Sequence, residues 1–230
     1  MKDAVFRLLA ISISVLMVTI LIIFGLNWLG SQQKFAPLDH PLLNNDPHYF
    51  IATQESISNQ KSLKYEQIIP LVYLTTDRDS WYITDHNFKE KKQDFDSYLQ
   101  QNPLSKVALF VNSRINLGAL VKSLFDSNLQ ENVLIFANEQ KIIIELKKMA
   151  PRWLYSANPS QKMRLKVMDS FWIGSLSQYD FDFIVINPQE KEVLNNRLVN
   201  ELQKRFKKII YQTENIPKEF PSYIDGVLFL

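Results

Sequence analysis

The stretch Ile68–Phe88, IIPLVYLTTDRDSWYITDHNF, carries the pattern that decides the fold of this chain. It opens with the apolar run Ile68–Leu74, and an almost unbroken apolar run of this length predicts a strand that is covered on both faces. A polar turn follows, and the short run Trp81–Thr84 predicts an extra short strand. Strands of the first kind are typical of a parallel sheet surrounded by helices.

Similar short β-rich runs alternate with amphipathic segments along the rest of the chain, which is the sequence sign of βα units. Helical spacing of apolar residues predicts helices over Leu117–Gln130, Glu139–Met149 and Val193–Phe206. The predicted main strands are Tyr49–Thr53, Ile68–Leu74, Lys106–Asn112, Asn132–Ala137, Trp153–Ala157, Phe181–Asn187, Lys208–Gln212 and Gly226–Leu230. Eight strands favour an α/β fold of the (β/α)8 TIM-barrel type, small or incomplete, over an open doubly wound sheet with the same local pattern.

The N-terminal segment Leu8–Gly30 has no charged residue and is long enough to cross about 30 Å of hydrocarbon as a helix. Lys2 and Arg7 precede it, which predicts a cytoplasmic N-terminus and an extracytoplasmic C-terminal domain on the cell (inner) membrane. A cleaved signal peptide is the competing interpretation. The apolar core exceeds the usual length of about 7–15 residues and no A-x-A-like site follows, so an uncleaved single-pass anchor is favoured.

These patterns divide the chain into three parts. Residues 1–30 form a cytoplasmic stub and the transmembrane signal-anchor, residues 31–47 form a linker with three prolines, and residues 48–230 form the barrel domain. His40 and His48 lie in or beside the linker. We predict surface positions for both, because neither has a partner at metal-ligand spacing.

Composition excludes several classes of function. The chain has 26 basic and 24 acidic residues, a formal charge of +2 and no basic stripe, so we expect no nucleic-acid partner. It has no cysteine, which excludes disulfides, thiolate metal sites and a cysteine nucleophile. It has only five glycines, too few and too scattered for a Gly-rich phosphate-binding loop.

The order of segments from Tyr49 to Leu230 resembles the glycerophosphodiester phosphodiesterase family of phospholipase-C-like barrels. The closing strand YIDGVLFL, from Tyr223, is similar to the family's Val-Asp-Gly-Ile-Ile-Thr-Asp, and KKIIYQTEN before it falls on the Trp-Thr-Val-Asn strand. Thr76 falls on the threonine of the family's Thr-x-Asp-Gly turn. Two features depart from the family: the interval between the first two strands is several residues short, and no final helix follows the last strand.

The resemblance implies a site with a divalent cation on carboxylates and a histidine pair for proton transfer. At the family's His-Arg-Gly this chain has Thr53, Gln54 and Glu55, so a catalytic histidine and the phosphate-binding arginine are missing. Pro70 and Val72 fall on the two metal positions of the Glu-x-Asp strand, and neither side chain offers the oxygen ligands that a hard cation prefers.

The remaining family positions are also altered. Phe110 falls near the carboxylate of the Glu-Ile-Lys strand, and Asn112 falls on its lysine. Asp85 and His86 occupy the place of the family's His-Asp in inverted order, and they are the remnant catalytic candidates. The resemblance therefore implies a barrel that has lost most of its site.

Three hypotheses follow. The first is a membrane-anchored pseudoenzyme that needs no cofactor and binds a lipid head group or an envelope protein partner. The second is an active metal-dependent phosphodiesterase for lipid-derived diesters that uses calcium or magnesium on relocated ligands. Its candidate ligands are Glu55, Asp77, Asp79, Asp85 and His86. The third is a single-pass structural subunit of an envelope complex.

The tryptophans offer a further candidate. Trp81, Trp153 and Trp172 could line a ligand groove, although filling the core is the commoner use of large aromatic residues. Trp172 lies in the long segment Gln161–Gln178 before a strand, where a barrel loop could form a lid, so we select it as the candidate for a ligand groove.

Overall fold

The computed structural model describes residues 2–37, 40–42, 49–53, 68–77, 80–187, 194–214 and 221–229. Within these ranges the chain forms six α-helices, ten strands and a 3-10 helix at Gly174–Leu176. The helices are α1 Lys2–Ser31, α2 Phe95–Gln101, α3 Leu117–Asp126, α4 Gln140–Met149, α5 Pro159–Ser170 and α6 Asn196–Lys204. The strands are β1 Tyr49–Ala52, β2 Ile68–Asp77, β3 Ser80–Thr84, β4 Lys91–Asp94, β5 Val107–Val111, β6 Val133–Phe136, β7 Leu154–Tyr155, β8 Phe183–Ile186, β9 Lys208–Thr213 and β10 Gly226–Phe229.

Eight of these strands form one parallel sheet in the order β7-β6-β5-β2-β1-β10-β9-β8. The two outermost strands meet through a parallel bridge between Ser156 and Phe183, so the sheet closes into a ring. Two backbone bonds support this seam: Ala157 N–H donates to the Phe183 carbonyl at 2.8 Å, and Asp182 N–H donates to the Tyr155 carbonyl at 2.8 Å. The predicted TIM-type barrel is therefore confirmed, and each predicted main strand overlaps one strand of the ring.

The remaining two strands extend β2 outside the ring. β3 pairs antiparallel with β2, from Tyr73 opposite Thr84 to Asp77 opposite Ser80, and β4 pairs antiparallel with β3. β3 contains the predicted extra strand Trp81–Thr84. The turn between β3 and β4 carries the Asp85–His86 pair.

Side chains alternate between the inside of the ring and the helix layer, as the two-residue period of a strand requires. The interior cluster takes residues from all eight ring strands: Ile51, Ile69, Leu71, Tyr73, Ala108, Phe110, Leu134, Phe136, Leu154, Phe183, Val185, Ile210 and Leu228. The intervening residues face the helices. The predicted helix faces are confirmed there, since Leu120 and Leu124 of α3 and Ile142 and Leu146 of α4 pack in the outer core.

The segment before β1 closes the N-terminal end of the barrel. Leu42 belongs to the interior cluster, and His40 beside it is only 6% exposed. The His40 ring accepts a hydrogen bond from Leu42 N–H at Nδ1 (3.1 Å), and its Nε2–H donates to the Arg152 carbonyl at 2.8 Å, just before β7. The predicted surface position of His40 is wrong, because residues 40–42 of the linker pack against the N-terminal end of the barrel. His48 lies outside the described residues.

This contact makes stability depend on pH. Burial lowers the pKa of His40 below its usual 6.5, since the buried ring is favoured in its neutral form and Nδ1 must stay unprotonated to accept from Leu42. As pH falls below 6.5, the unfolded state binds the proton first, so the free energy of unfolding falls. The slope cannot exceed about 1.4 kcal/mol per pH unit for this group.

This expectation is tested by denaturant unfolding of the wild type, His40→Gln and His86→Ala. The measurements cover several pH values between roughly 4 and 7, the range in which histidine titrates. We expect His40→Gln to flatten the acid dependence. His86 is exposed on a turn, so His86→Ala should retain it. An unchanged slope in His40→Gln would contradict the role of His40.

Candidate functional site

The carboxyl ends of the ring strands surround a cavity of about 200 Å³, which we call the mouth. Barrels of this type place their active sites at this end, because the loops after the strands converge there. The lining residues are Leu71, Tyr73, Phe110, Phe136, Ala137, Asn138, Ser156, Ala157, Pro159, Lys162, Val185, Gln212 and Leu228. The mouth is therefore the candidate site, and its lining is mostly apolar.

Five aromatic rings contact one another in series inside and beside the barrel, and three of them line the mouth. Phe110 stacks on Tyr73 with ring centroids 5.5 Å apart, and Phe136 lies nearly parallel to Phe110 at 6.5 Å. Phe183 meets Phe136 edge to face at 5.1 Å, while Phe88 approaches Phe110 at 5.4 Å. These are favourable aromatic geometries. We call the five residues Tyr73, Phe88, Phe110, Phe136 and Phe183 the aromatic plug.

Phe88 enters the plug from the turn between β3 and β4. Its φ of 59° is left-handed, and its N–H donates to the Asp85 carbonyl at 3.0 Å. The Asp85 carboxylate accepts from Lys89 N–H at 2.9 Å, and this hydrogen bond holds the pKa of Asp85 below its usual value. Asp85 thus shapes the turn, His86 is exposed, and neither lines the mouth. The residue of this turn that contacts the barrel interior is Phe88, and no sequence pattern indicated it.

The structure also fixes which residues of β2 face the mouth. Leu71 and Tyr73 line it, whereas Val72 packs in the outer core. Pro70 is two residues before Val72 and shares its side of the strand. The two residues that the resemblance placed on metal positions therefore point away from the mouth, and the inward positions beside them also carry no carboxylate.

Among the described residues, the other sequence candidates do not line the mouth. Thr53 follows β1, and Asp77 ends β2 opposite Ser80, where it is exposed. Gln54, Glu55 and Asp79 lie outside the described residues. In the part of the chain that the structure describes, no group of three histidine, aspartate or glutamate side chains is placed to hold a metal ion.

The polar groups that do line the mouth are mainly neutral. They are Asn138, Ser156 and Gln212, with Lys162 as a cation from the first turns of α5. Beside them, Asn158 caps α5: its Oδ1 accepts from Gln161 N–H at 2.9 Å in a capping box. The sequence signal for this cap is Asn-Pro-Ser-Gln directly after a strand. These groups can hydrogen-bond a ligand, but they supply little charge for a phosphate.

The tryptophans separate into two groups. Trp81 and Trp153 are buried in the outer core, which confirms the core-filling prediction for these two. Trp172 is exposed and lies between α5 and β8, a connection at the N-terminal end of the barrel. It is not among the residues lining the mouth, so it cannot form the lid for which the sequence suggested it.

The fold is similar to that of solved phosphodiesterases. A glycerophosphodiester phosphodiesterase from Agrobacterium tumefaciens matches with a TM-score of 0.56 and 7% identity, over 79% of this chain and 94% of that protein. One from Parabacteroides distasonis matches with a TM-score of 0.56 and 11% identity, over 81% and 94%. No protein-family model matches the chain, and no curated protein matches it either.

Proposed function

We propose that this chain, whose barrel has the fold of the glycerophosphodiester phosphodiesterases, is a membrane-anchored pseudoenzyme that serves binding or assembly. The observation that carries the proposal is the aromatic plug. Three of its rings, Tyr73, Phe110 and Phe136, line the mouth, where an enzyme with this barrel places its catalytic groups.

The chemistry of the mouth supports loss of catalysis. A metal-assisted phosphodiesterase needs carboxylate oxygens for its cation and a general acid and base for proton transfer. The inward residues of β2 and β5 at the mouth are Leu71, Tyr73 and Phe110, and burial raises the pKa of Tyr73 above its usual value. Tyr73 is therefore a poor base at neutral pH, and the other two side chains hold neither a proton nor a cation.

The size of the mouth favours a partner over a small-molecule ligand. Its volume of about 200 Å³ is below the roughly 300–1,000 Å³ of typical ligand pockets. Stacked rings that already contact one another leave little room for a further ring. The proposed role is therefore protein binding or assembly in the cell envelope.

The membrane anchor rests on α1. The most apolar 18 residues of its stretch Val5–Ser31 have a mean hydropathy of 2.8, and none of them is buried against the rest of the chain. A long helix that is apolar on all faces and uncovered by protein suits lipid surroundings better than water. We propose that α1 crosses the membrane once, with the barrel on the extracytoplasmic side.

The test of lost catalysis is a hydrolysis assay on the purified full-length protein in detergent. Glycerophosphocholine and bis(p-nitrophenyl) phosphate are the substrates, with calcium, magnesium or manganese added in turn. We expect no turnover above the buffer rate, because the described residues that line the mouth include no carboxylate for a cation. A known glycerophosphodiester phosphodiesterase under the same conditions serves as the positive control.

His86→Ala is the matched variant, and circular dichroism shows whether both proteins are folded. Metal-dependent turnover by the wild type that disappears in His86→Ala would overturn the pseudoenzyme proposal. It would make Asp85 and His86 the remnant of an active site.

A further inference from the structure

Exposed apolar side chains of the barrel gather beside the C-terminal end of α1. Phe171 and Trp172, at the end of α5, are 63% and 59% exposed. Leu176 lies in the 3-10 helix that follows, and Met163 and Val167 precede Phe171 on α5. We call these five residues the basal surface. Exposed apolar groups in such a cluster indicate an interaction site, whereas single ones are common.

The exposure of these apolar side chains follows from their spacing along α5. Met163, Val167 and Phe171 follow a four-residue spacing, so they lie on one side of the helix. That side is exposed, while Gln161, Leu165 and Asp169 are buried on the opposite side. The solvent-facing side of α5 thus carries apolar side chains where an ordinary surface helix carries polar ones.

The end of α1 docks at the same place. Ser175 Oγ, in the 3-10 helix, donates to Asn27 Oδ1 at 2.6 Å. A Cβ on Gly30 would lie 2.7 Å from Ser175 Oγ, so the two backbones approach as closely as glycine allows. Lys204 at the end of α6 also donates to the Ser31 carbonyl. The last two turns of α1 are thereby fixed next to the basal surface.

Helix length places this contact at a membrane surface. The uncharged stretch of α1, Leu8–Gly30, has 23 residues, which corresponds to about 35 Å of helix. A hydrocarbon core is about 30 Å thick, so with Arg7 at one head-group region roughly the last turn of α1 extends into the other. The 3-10 helix and the neighbouring Trp172 then lie at the same depth.

Trp172 is held outward by its surroundings. Its φ is 63°, and its N–H donates to the Asp169 carbonyl at 2.9 Å. The Arg197 guanidinium lies 4.9 Å from the centre of the indole ring, and Arg197 Nε is bound to the Asp169 carboxylate at 2.7 Å. Tryptophan is enriched at membrane interfaces because its ring is apolar and its N–H is polar.

The charges of α5 also suit contact with a membrane surface. Arg164 and Lys166 are exposed beside the apolar stripe, and the acidic residue of this helix, Asp169, is buried. Apolar side chains flanked by cations are typical of surfaces that lie on anionic bilayers.

We propose that the basal surface lies in the head-group region of the bilayer that α1 crosses. The inference rests on the proposed membrane anchor and extends it to the orientation of the barrel. The connection from α5 to β8 is at the N-terminal end of the barrel, so this end lies on the lipid and the mouth faces away from it. A partner of the mouth then approaches from the extracytoplasmic space.

Single-cysteine spin labelling of the full-length protein tests the proposal. The chain has no cysteine, so Phe171→Cys, Met163→Cys, Ile115→Cys and Ile13→Cys each give one labelled site. Ile115 is the matched control, because it is 60% exposed but follows β5 at the mouth end. The labelled proteins are reconstituted into nanodiscs of phosphatidylcholine with added phosphatidylglycerol. Accessibility to oxygen, which concentrates in lipid, is compared with accessibility to a water-soluble nickel chelate.

We expect the ratio of oxygen to nickel accessibility at positions 171 and 163 to exceed the ratio at position 115 several-fold. The label at position 13 should have the highest ratio. If position 13 reports lipid while positions 163 and 171 match position 115, the orientation is overturned and the anchor stands. If position 13 also reports water, the anchor itself fails.

A second copy of the chain over the basal surface gives a different outcome. It would produce low accessibility to both reagents and spin–spin broadening at position 171, and this too would overturn the lipid contact.

Discussion

Phe136→Ala is expected to lower the free energy of unfolding by about 3–5 kcal/mol, the usual cost of removing a buried aromatic side chain. Phe136 is 5% exposed and lies between Phe110 and Phe183 in the aromatic plug. Its removal eliminates two ring contacts and leaves an apolar cavity that the rigid strands cannot fill. Denaturant unfolding of the full-length protein in detergent measures the loss.

The same variant tests whether the mouth is closed. A cavity lined by apolar groups stays dry and binds benzene or xenon, so Phe136→Ala should be stabilised by these ligands while the wild type is not. Ile115→Ala is the control, with an expected change within about 0.5 kcal/mol because the side chain is exposed. A small loss in Phe136→Ala without ligand binding would mean that the mouth is open to water, and would remove the main support for the pseudoenzyme proposal.

Asp182→Ala is expected to lower the free energy of unfolding by about 2–4 kcal/mol, because this carboxylate holds the seam of the barrel. Asp182 Oδ2 accepts from Tyr155 N–H at 3.0 Å, across the junction of β7 and β8. Its Oδ1 lies 3.8 Å from Lys207 Nζ. Alanine leaves the Tyr155 N–H without its acceptor and a partly buried ammonium without its counter-charge.

The pH dependence of stability identifies the loss of the counter-charge of Lys207. Burial already lowers the pKa of Lys207, and Asp182 opposes this shift, so the variant should lower the pKa further. Where the folded-state pKa of a lysine is below 10.5, the unfolded state retains the proton longer, and stability rises as pH rises within that interval. The loss in Asp182→Ala should therefore shrink with rising pH, up to the onset of tyrosine ionisation near about pH 10.

Two controls accompany this variant. Asp182→Asn keeps an acceptor for Tyr155 without the charge, so it should cost less than Asp182→Ala. Glu145→Ala removes the exposed pair of Arg114 and Glu145 and should cost below about 1 kcal/mol. Equal losses in Glu145→Ala and Asp182→Ala would contradict the special role of the seam.

The sequence by itself determined the elements and the class of fold. Runs such as VLIF in β6 and FIVI in β8 are apolar throughout, because these strands are covered on both faces. The amphipathic spacing of α3 and α4 likewise follows from burial of one helix face. The count of eight such strands favours a barrel. The length of α1 separately makes it a candidate membrane helix.

Only the tertiary structure decided what the site contains. A shift of one residue in a strand exchanges the inward and outward faces, so Leu71 and Tyr73 replace Pro70 and Val72 at the mouth. Phe88 enters the aromatic plug, and His40 closes the opposite end, through contacts with residues far along the chain that local spacing does not encode. Trp172 lies at the N-terminal end because, in a parallel sheet, each connection from a helix to the next strand is at that end. The physical reason is common to all of these residues: local patterns report which strands and helices form, whereas the direction and partners of each side chain are set when these elements pack together.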